Sequence, residues 1–318
     1  MWAYMIRRLL VIPFMLLGMS LLVFLLLFIK PGSAAFATSG QIINPDQIKA
    51  LEVELGLDKP WYEQYGNWLG NAVQGDFGKS LRAPRPPVTD DIKERIGNTI
   101  ELGILTVLLS AVLGISIGAL SAVRRNSWID YLLRMVSILG ISVPNFWTAT
   151  LLIVLPAMWW GWTPLAKEFH TFQDDPLKNL AIVIWPAMIL AYGSAAYTAR
   201  IVRSSMLEVF YSDYIRTARA KGLMERVVVF RHVLRNSLVT LLTIVGLQLG
   251  AVLGGSVIVE RIFAIPGLGV LTLEAVMGTD FPVVLATVMM FALMFVVISW
   301  SSLLFMGLYA SIPVRLPS

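Results

Sequence analysis

The sequence has no cysteine and little charge: 14% of its 318 residues are charged, whereas 57% are hydrophobic. The absence of cysteine excludes disulfide frameworks, cysteine metal sites and thiol catalysis. Soluble globular domains carry about 25% charged residues. A chain this apolar would expose an adhesive surface to water, so the shortage of charge indicates a membrane protein.

Catalytic patterns are also missing. The sequence contains two histidines, His170 and His232, but no HExxH motif and no G-x-S-x-G elbow with a histidine partner in the membrane. The segment GDFGKS, Gly75–Ser80, resembles half of a phosphate-binding loop, but Val73 stands where that loop requires its first glycine. The sequence therefore predicts a chain that is not an enzyme and does not itself hydrolyse ATP.

Six charge-poor stretches are long enough to cross a hydrocarbon core, which takes about 20 helical residues. They lack the alternation over about 10 residues that marks barrel strands. The predicted fold class is therefore an all-α polytopic membrane protein, with residues 1–318 in a single domain. The predicted spans are 9–29, 102–123, 135–158, 180–199, 237–259 and 282–308.

Ionisable side chains are nearly absent from these spans. Ion-coupled carriers typically keep such a side chain at mid-membrane depth to bind the coupling ion. The shortage argues against that kind of carrier. A carrier that coordinates an ion through backbone carbonyls stays open as an alternative.

The N-terminal apolar run has two interpretations. The residues MWAYMIRR, the run itself and the small residues at Ala35–Ala37 resemble a signal peptide with its cleavage site. The run is longer than a typical signal core, which favours an uncleaved membrane anchor.

The distribution of basic residues predicts the orientation. With a cytoplasmic N-terminus, the inner side carries 14 Lys/Arg and 4 acidic residues, and the outer side carries 11 and 16. Because cytoplasmic loops are enriched in Lys/Arg, both termini are predicted to be cytoplasmic. Residues 30–101 then form a small extracytoplasmic subdomain, in which Asn44 and Pro45 begin a helix.

Small residues one helical turn apart occur in two spans. Gly114 and Gly118 form one GxxxG pattern, and Gly246, Gly250 and Gly254 form a double one. Such spacing lets helix backbones approach closely in lipid. The sequence leaves open whether the packed helices belong to one subunit or to two.

The polar side chains that remain inside the spans are neutral. Ser142 and Asn145 flank Pro144, which breaks the helical hydrogen-bond ladder, and Gln248 lies in the fifth span. A neutral path suits a bulky polar cargo, so Ser142, Asn145 and Gln248 are candidate translocation-pathway residues. Hydrogen bonding between helices is the alternative for each of them.

The most informative segment is the loop 200–236, which contains DYIRTARAKGLMERVVVFRHVLRN at 213–236. Ser212 or Asp213 can cap a short helix and Gly222 can end it, before a second helical segment returns to the membrane. A basic cytoplasmic anchor explains the charges but not this order.

Small residues inside this basic helix predict a docking surface. Ala218, Ala220 and Gly222 would leave a shallow face without bulk, as a short helix needs when it docks into a cleft of another protein.

The sequence DYIRTARAKGL, followed by HVLRNSL, closely resembles the EAA loop of permease subunits of ABC importers. The specific resemblance is to the B-type permeases of dipeptide, oligopeptide and nickel systems. It extends over the whole chain through MIRRLL, LGLDKPWYEQY, GDFGKS, RIGNTIELG, GISVPNF and GGSVIVERIFAIPGLG.

Three positions depart from the general EAA pattern. Arg216 and Thr217 replace its Glu and first Ala, and Arg235 replaces its closing Pro, whereas Ala218 and Gly222 match. The order Arg-Thr-Ala is usual for the peptide branch, so the departures narrow the resemblance to that branch.

The resemblance implies the fold of a type I ABC importer permease, with an ATPase-coupling helix at 213–222. A second homologous permease subunit, two cytoplasmic ATP-binding subunits, an extracytoplasmic substrate-binding protein and membrane lipid are the implied partners, and nucleic acid is not. This chain would bind no cofactor; ATP and Mg²⁺ would bind the partner ATPases. The implied coupling residues are Asp213, Tyr214, Arg216, Thr217, Ala218, Arg219, Ala220, Lys221 and Gly222.

The resemblance also implies a location and a class of cargo. The location is the cytoplasmic membrane of a bacterium or archaeon, which the chain crosses several times. Di- and oligopeptides are the expected cargo, and nickel chelates, glutathione and oligosaccharides stay open as alternatives. The loop Arg124–Asp130 is a second candidate contact for an ATPase.

Overall fold

The computed structural model describes residues 2–28, 59–82, 84–165 and 168–311, which are mostly helical. The predicted helix start at Asn44 and Pro45 lies outside these residues. The helices are α1 (Trp2–Phe28), α2 (Trp61–Val73), α3 (Val88–Val123), α4 (Trp128–Ser142), α5 (Asn145–Trp160), α6 (Pro176–Phe210), α7 (Asp213–Ala220), α8 (Arg235–Ile262), α9 (Leu268–Met277) and α10 (Phe281–Ser311).

Local sequence signals explain where several helices begin and end. The Asp175 carboxylate accepts a hydrogen bond from the Lys178 amide at 3.2 Å, and Pro176 occupies the first position of α6. Ser127 caps α4 through its side-chain oxygen. Gly161 ends α5 in the left-handed region, with φ of 62°, which glycine adopts without steric cost.

Four predicted spans fall inside continuous helices: 102–123 in α3, 180–199 in α6, 237–259 in α8 and 282–308 in α10. Within the described residues, three helices are long and apolar enough to cross a membrane, and a bent helix pair makes a fourth candidate. The chain is thus a multi-pass membrane protein, whereas the count of six spans stays a prediction.

The predicted span 135–158 is a broken helix rather than a continuous one. Helix α4 ends at Ser142, α5 begins at Asn145, and the two axes are bent by 100°. Pro144 has no amide hydrogen, so the Gly140 carbonyl loses its donor from four residues ahead. Backbone of this kind is tolerated at membrane depth only where protein buries it or where it lines a cavity.

The chain divides into two compact units, Met1–Thr99 with Pro266–Val296, and Ile100–Ile265 with Val297–Ser318. In the first unit, the Tyr65 hydroxyl of α2 lies 2.8 Å from the Ser20 hydroxyl of α1, and the Tyr65 ring packs 5.4 Å from that of Phe24. These contacts fix the described part of the predicted outer subdomain against the first apolar helix.

The first unit also explains the GDFGKS segment. The Ser80 hydroxyl donates a 2.5 Å hydrogen bond to the buried carboxylate of Asp280, and the Ser80 amide donates to the Pro86 carbonyl. The Asn98 side chain donates to the Pro266 carbonyl at 2.8 Å. The segment thus forms a turn that is hydrogen-bonded to the residue preceding α10, and it leads into a further turn instead of a helix.

In the second unit, the first glycine pattern packs α3 against α6. A Cβ built on Gly114 would lie 2.5 Å from Thr198 Cβ, and one built on Gly118 would lie 2.5 Å from the Ala199 carbonyl oxygen. This pattern therefore serves packing within one subunit. A Cβ built on Gly254 meets no described atom within 4 Å, so its pattern stays open to either interpretation.

Among the described residues of the second unit, the buried apolar side chains form two clusters. One joins α3, α5, α6 and α8 around buried residues that include Leu102, Ala149 and Val252. The other lies where α3 and α6 meet the basic loop, and it positions the candidate coupling helix. Its buried members are Ala122, Val202, Met206, Ile215, Val228, Val229 and Val233.

Candidate coupling and translocation sites

Helix α7 occupies the segment that the basic loop predicted to be a short helix. Ser212 stands at its N-cap position, but the Ser212 hydroxyl donates to the Val209 carbonyl at 2.6 Å and caps no amide of α7. After Lys221, Gly222 takes a left-handed φ of 79° and donates its amide hydrogen to the Arg219 carbonyl at 2.9 Å. Gly222 therefore ends the helix as predicted.

One face of α7 is buried against the same chain. Ile215 is fully buried in the cluster with Val202 and Met206 of α6, and Ala218, one turn further on, is 8% exposed. The expectation that Ala218 contributes to a shallow docking surface is therefore wrong. Its small side chain instead lies on the inner face that holds α7 to the protein.

The other predicted coupling residues are exposed. The Arg216 guanidinium lies 3.6 Å from the Asp213 carboxylate, with both side chains mostly in solvent. The Tyr214 hydroxyl accepts a 2.8 Å hydrogen bond from the Asn236 side chain. The exposed set is Asp213, Tyr214, Arg216, Thr217, Arg219, Ala220, Lys221 and Gly222.

Arg219 already has a partner within the loop. Its guanidinium donates to both carboxylate oxygens of Glu225, at 2.6 and 3.2 Å, and lies 5.7 Å from the centre of the Phe210 ring. The hydrogen bonds from Arg219 hold the pKa of Glu225 below its usual value. Both side chains are about half exposed, so solvent weakens the pair, which nevertheless orients the turn after Gly222.

Sequence reasoning missed three exposed apolar residues beside this helix. Leu223, Met224 and Phe230 are 39%, 73% and 67% exposed. The sequence signal that could have predicted this surface is the Leu-Met pair that directly follows Gly222, the glycine that ends the helix. Exposed apolar side chains next to charged ones are typical of protein interfaces.

The segment that returns to the membrane is wound differently from the predicted helix. After the helical turn Glu225–Val227, residues Val228–Leu234 form a π-helix that runs directly into α8. Val228 and Val233, five residues apart, are both fully buried in the cluster beneath α7. The π-helical winding thus places both valines on one face, where they support the coupling helix.

A neutral cavity of about 540 Å³ lies at the break between α4 and α5. Its wall also includes residues of α6 and α8, among them Gly193, Tyr197 and Gln248, and none of the lining side chains is charged at neutral pH. Among the described residues, no group of acidic or histidine side chains is placed to hold a metal ion.

Two of the three predicted pathway residues line this cavity, and the third does not. Asn145 and Gln248 belong to the wall, whereas Ser142 is exposed and lies outside it. A Cβ built on Gly193 would lie 3.4 Å from the Asn145 side-chain oxygen. Glycine at 193 therefore leaves room for the Asn145 amide at the cavity.

Gln248 links helices as well as lining the cavity. Its amide nitrogen donates to the Ser194 carbonyl at 3.1 Å and to the Thr198 hydroxyl at 2.8 Å. Its amide oxygen lies 3.5 Å from the Ser110 hydroxyl. Both N–H donors are used within the protein, so the structure favours the interhelical interpretation for this residue.

Tyr197 and Ser194 belong to the cavity wall but were not among the predicted pathway residues. The Arg200 guanidinium lies 5.4 Å from the centre of the Tyr197 ring, one turn along α6. Nothing in the sequence separates these two residues from the rest of their span, because their exposure to the cavity depends on how α6 packs against α4 and α8.

Two family profiles match the chain. Residues 114–311 match the binding-protein-dependent transport system inner membrane component, and residues 1–102 match the N-terminal part of such membrane components. The chain therefore belongs to the family of inner membrane components of binding-protein-dependent transport systems. This is a family of ABC transporter permease subunits rather than of ATPases.

Relatives over nearly the full length carry peptide-transport names. The chain is 42% identical over 288 residues to a Brucella suis biovar 1 protein, provisionally named a peptide transport system permease protein, and 91% of each is covered. It is 40% identical to the oligopeptide transport system permease protein AppB of Bacillus subtilis, covering 93% of this chain and 94% of AppB. It is 36% identical to the dipeptide transport system permease protein DppB of Alkalihalophilus pseudofirmus, covering 94% and 95%.

Solved structures share the fold at low sequence identity. An inward-facing structure of the MetNI methionine ABC transporter matches with a TM-score of 0.57 at 17% identity, over 69% of this chain and 95% of that chain. An amino acid ABC transporter solved with histidines matches with a TM-score of 0.50 at 17% identity, over 70% and 93%. These similarities show that the chain shares its fold with chains of ABC transporters.

Proposed function

We propose that this chain is a permease subunit of an ATP-driven ABC importer of di- and oligopeptides. It lies in the cytoplasmic membrane of a bacterium or archaeon, with six spans and both termini in the cytoplasm. The peptide-transport names of its relatives and the basic loop around α7 support this proposal.

The geometry of α7 is the observation that carries the coupling role. Ile215 holds the helix in the cluster with α6 and the π-helix, and Ala218 is also buried, while most of its length faces solvent. Two partner ATPases dock on the 213–222 segments of the permease pair. ATP binding, with Mg²⁺ on those partners, closes the ATPase dimer, and α7 carries the movement into the spans. Hydrolysis then resets the importer.

The neutral cavity supports the transport role. A second, homologous permease subunit provides the other half of the pathway, and a substrate-binding protein delivers cargo over the 31–101 subdomain. Among the three predicted pathway residues, Asn145 is the best placed cargo contact, because its side chain lines the cavity and no hydrogen bond of that side chain occurs within the described residues. The uncharged wall does not suit an ion-coupled carrier, which is the less favoured alternative.

Nickel chelates, glutathione and oligosaccharides remain alternative cargoes for the same kind of importer. A neutral cavity discriminates weakly among them, since amides and hydroxyls can hydrogen-bond to any of these classes. The ligand that co-purifies with the substrate-binding protein of the same complex identifies the cargo. A peptide supports the proposal, and a metal chelate or sugar replaces it.

Substitution of Gly222 tests the coupling role. Valine is strained at a φ of 79°, at a cost of about 1–2 kcal/mol or more, because its Cβ crowds the backbone in the left-handed region. We expect Gly222→Val to reduce ATP-driven uptake severalfold in proteoliposomes that contain the complete importer. The chain should still insert into the membrane, since Gly222 lies outside the spans.

The matched variant is Gly222→Asn, because asparagine tolerates the left-handed conformation. Near-normal uptake with asparagine and reduced uptake with valine would assign the effect to the backbone conformation. Reduced uptake with both variants would place position 222 on the docking surface itself. Normal uptake with both would contradict a coupling role for this segment.

A further inference from the structure

A fully buried carboxylate lies beside the turn that connects α3 to α4. Asp130, in the first turn of α4, is 0% exposed. Burying a carboxylate costs several kcal/mol unless its oxygens are paired and hydrogen-bonded. The position of its donors therefore shows which parts of the protein it holds together.

The donors come from three segments. The Ser121 hydroxyl of α3 donates at 2.5 Å, and the Asn126 amide of the turn donates at 2.9 Å. The Arg203 guanidinium of α6 donates through two nitrogens, one to each carboxylate oxygen, both at 2.9 Å. Asp130 thus joins α3, the turn 124–127 and α6 to the start of α4.

The N-terminus of α4 does not need the Asp130 carboxylate as its cap. Ser127 already caps α4, by accepting a hydrogen bond from the Asp130 amide. The two parallel hydrogen bonds from Arg203 need both carboxylate oxygens, and this geometry fixes orientation as well as distance. The pair therefore sets the position of α6 relative to the turn.

The same turn also contacts the base of the coupling helix. The Arg125 guanidinium donates to the Tyr211 hydroxyl and lies 5.2 Å from the centre of the Tyr211 ring. Tyr211 immediately precedes Ser212, the N-cap residue of α7, and Arg203 lies two turns before the end of α6. The turn 124–127 is therefore attached to the α6–α7 corner through Arg125, and to α6 two turns earlier through Asp130.

Helix α4 connects the turn 124–127 to the cavity. It runs from Asp130 to the break at Val143, where Gly140 and Val143 line the cavity wall. Along the way the Tyr192 hydroxyl of α6 donates to the Val136 carbonyl at 3.2 Å. A movement of α7 can therefore reach the cavity through α4 as well as along α6.

We propose that Asp130 and Arg203 are positioning residues that make α7, the turn 124–127 and α4 move as one rigid body. This role rests on the proposed function of α7 as the ATPase-coupling helix. Without the pair, α7 would still bind an ATPase, but its movement would reach the cavity only in part. ATP would then be hydrolysed with less cargo moved per ATP.

The first test measures the number of ATP molecules hydrolysed per cargo molecule in the complete importer in proteoliposomes. We expect this ratio to rise about fivefold or more in Asp130→Asn and in Arg203→Gln, the size of change typical for coupling between sites. Arg203→Lys keeps the charge but loses the two parallel guanidinium hydrogen bonds, so its ratio should be intermediate. The double variant should be no worse than Asp130→Asn alone, because that variant already removes the charged pair with Arg203.

The matched control is Asp175→Asn. It neutralises a carboxylate with an exposed ion-pair partner, Lys178, on the same helix α6, and asparagine retains the N-cap acceptor. The ratio should stay at the native value. An unchanged ratio in the Asp130 and Arg203 variants, or an equal change in the control, would overturn the positioning role.

A second test needs no transport and so separates this inference from the proposed function. The chain has no native cysteine, so spin labels can be attached at Arg124→Cys and Thr217→Cys, two exposed positions. We expect a narrow distance distribution that is the same with and without ATP in the complex, and a broad one once Arg203→Gln is added. A distance that changes with ATP, or a distribution unaffected by Arg203→Gln, contradicts rigid-body motion even if the importer carries peptides.

Discussion

Replacing Gly118 with alanine is expected to destabilise the protein by about 1–3 kcal/mol, because it overpacks a close helix contact. The new Cβ would lie 2.5 Å from the Ala199 carbonyl oxygen and 2.7 Å from the Val202 Cβ. The carbonyl belongs to the α6 backbone and cannot rotate away, so α3 and α6 must separate. We expect a lower thermal unfolding midpoint in detergent and weaker uptake by the assembled importer.

The matched control is Gly97→Ala in the same helix. A Cβ built there meets no described atom within 4 Å, so alanine adds no clash. It should stabilise α3 by about 0.5–1 kcal/mol, since glycine loses more backbone entropy in a helix. The two variants thus shift the midpoint in opposite directions. A fall of similar size in both would contradict the packing of α3 on α6 described above.

Replacing Ile215 with glutamine is expected to release α7 from the protein. The helix has eight residues, too few to be stable alone in water, so its contacts with α6 and the π-helix must hold it. Loss of a buried isoleucine typically costs about 2–5 kcal/mol, and the buried amide adds to that cost. Uptake should fall at least about tenfold, which corresponds to 1.4 kcal/mol of lost coupling.

Limited trypsin digestion measures this release directly, since α7 and its C-cap contain Arg216, Arg219 and Lys221. We expect rapid cleavage at these sites in Ile215→Gln and slow cleavage in the native protein. Thr217→Gln places the same new side chain at an exposed position, and trypsin should cleave this variant as slowly as the native chain. Equal resistance of both variants would show that Ile215 does not hold α7 in place.

Local signals allowed the main helices to be placed from the sequence. The apolar runs lie within α3, α6, α8 and α10 because a backbone in lipid must satisfy its hydrogen bonds internally. Gly222 ends α7 because the helix termination depends on the conformation of a single residue. Such features need no knowledge of distant contacts.

Tertiary contacts decided the features that the sequence left open or predicted incorrectly. Pro144 predicted a disrupted helix, but in the structure α4 and α5 meet at a bend of 100° and both pack against α6. Ala218 was expected on the docking surface, but it lies on the inner face beside Ile215. Gln248 donates hydrogen bonds to Ser194 and Thr198, which are 54 and 50 residues away in sequence.

The ion pair of Asp130 and Arg203 could not be predicted from the sequence either. The two residues are 73 positions apart, and their loops gave only a general expectation of a second ATPase contact at Arg124–Asp130. Nothing local marks Asp130 as buried or Arg203 as its partner, because both lie near basic residues that the membrane topology alone explains. The structure was needed to bring them together.

Site-specific cross-linking tests whether α7 contacts the ATPase subunits. In this cysteine-free chain, single cysteines at Ala220 and Ala218 carry the same thiol-reactive photo-cross-linker, at an exposed and at a buried position two residues apart. If α7 couples the permease to its ATPases, Ala220→Cys forms a cross-link to an ATPase subunit, whereas Ala218→Cys does not. No cross-link from position 220 in an assembled importer that transports cargo would contradict a coupling role for α7.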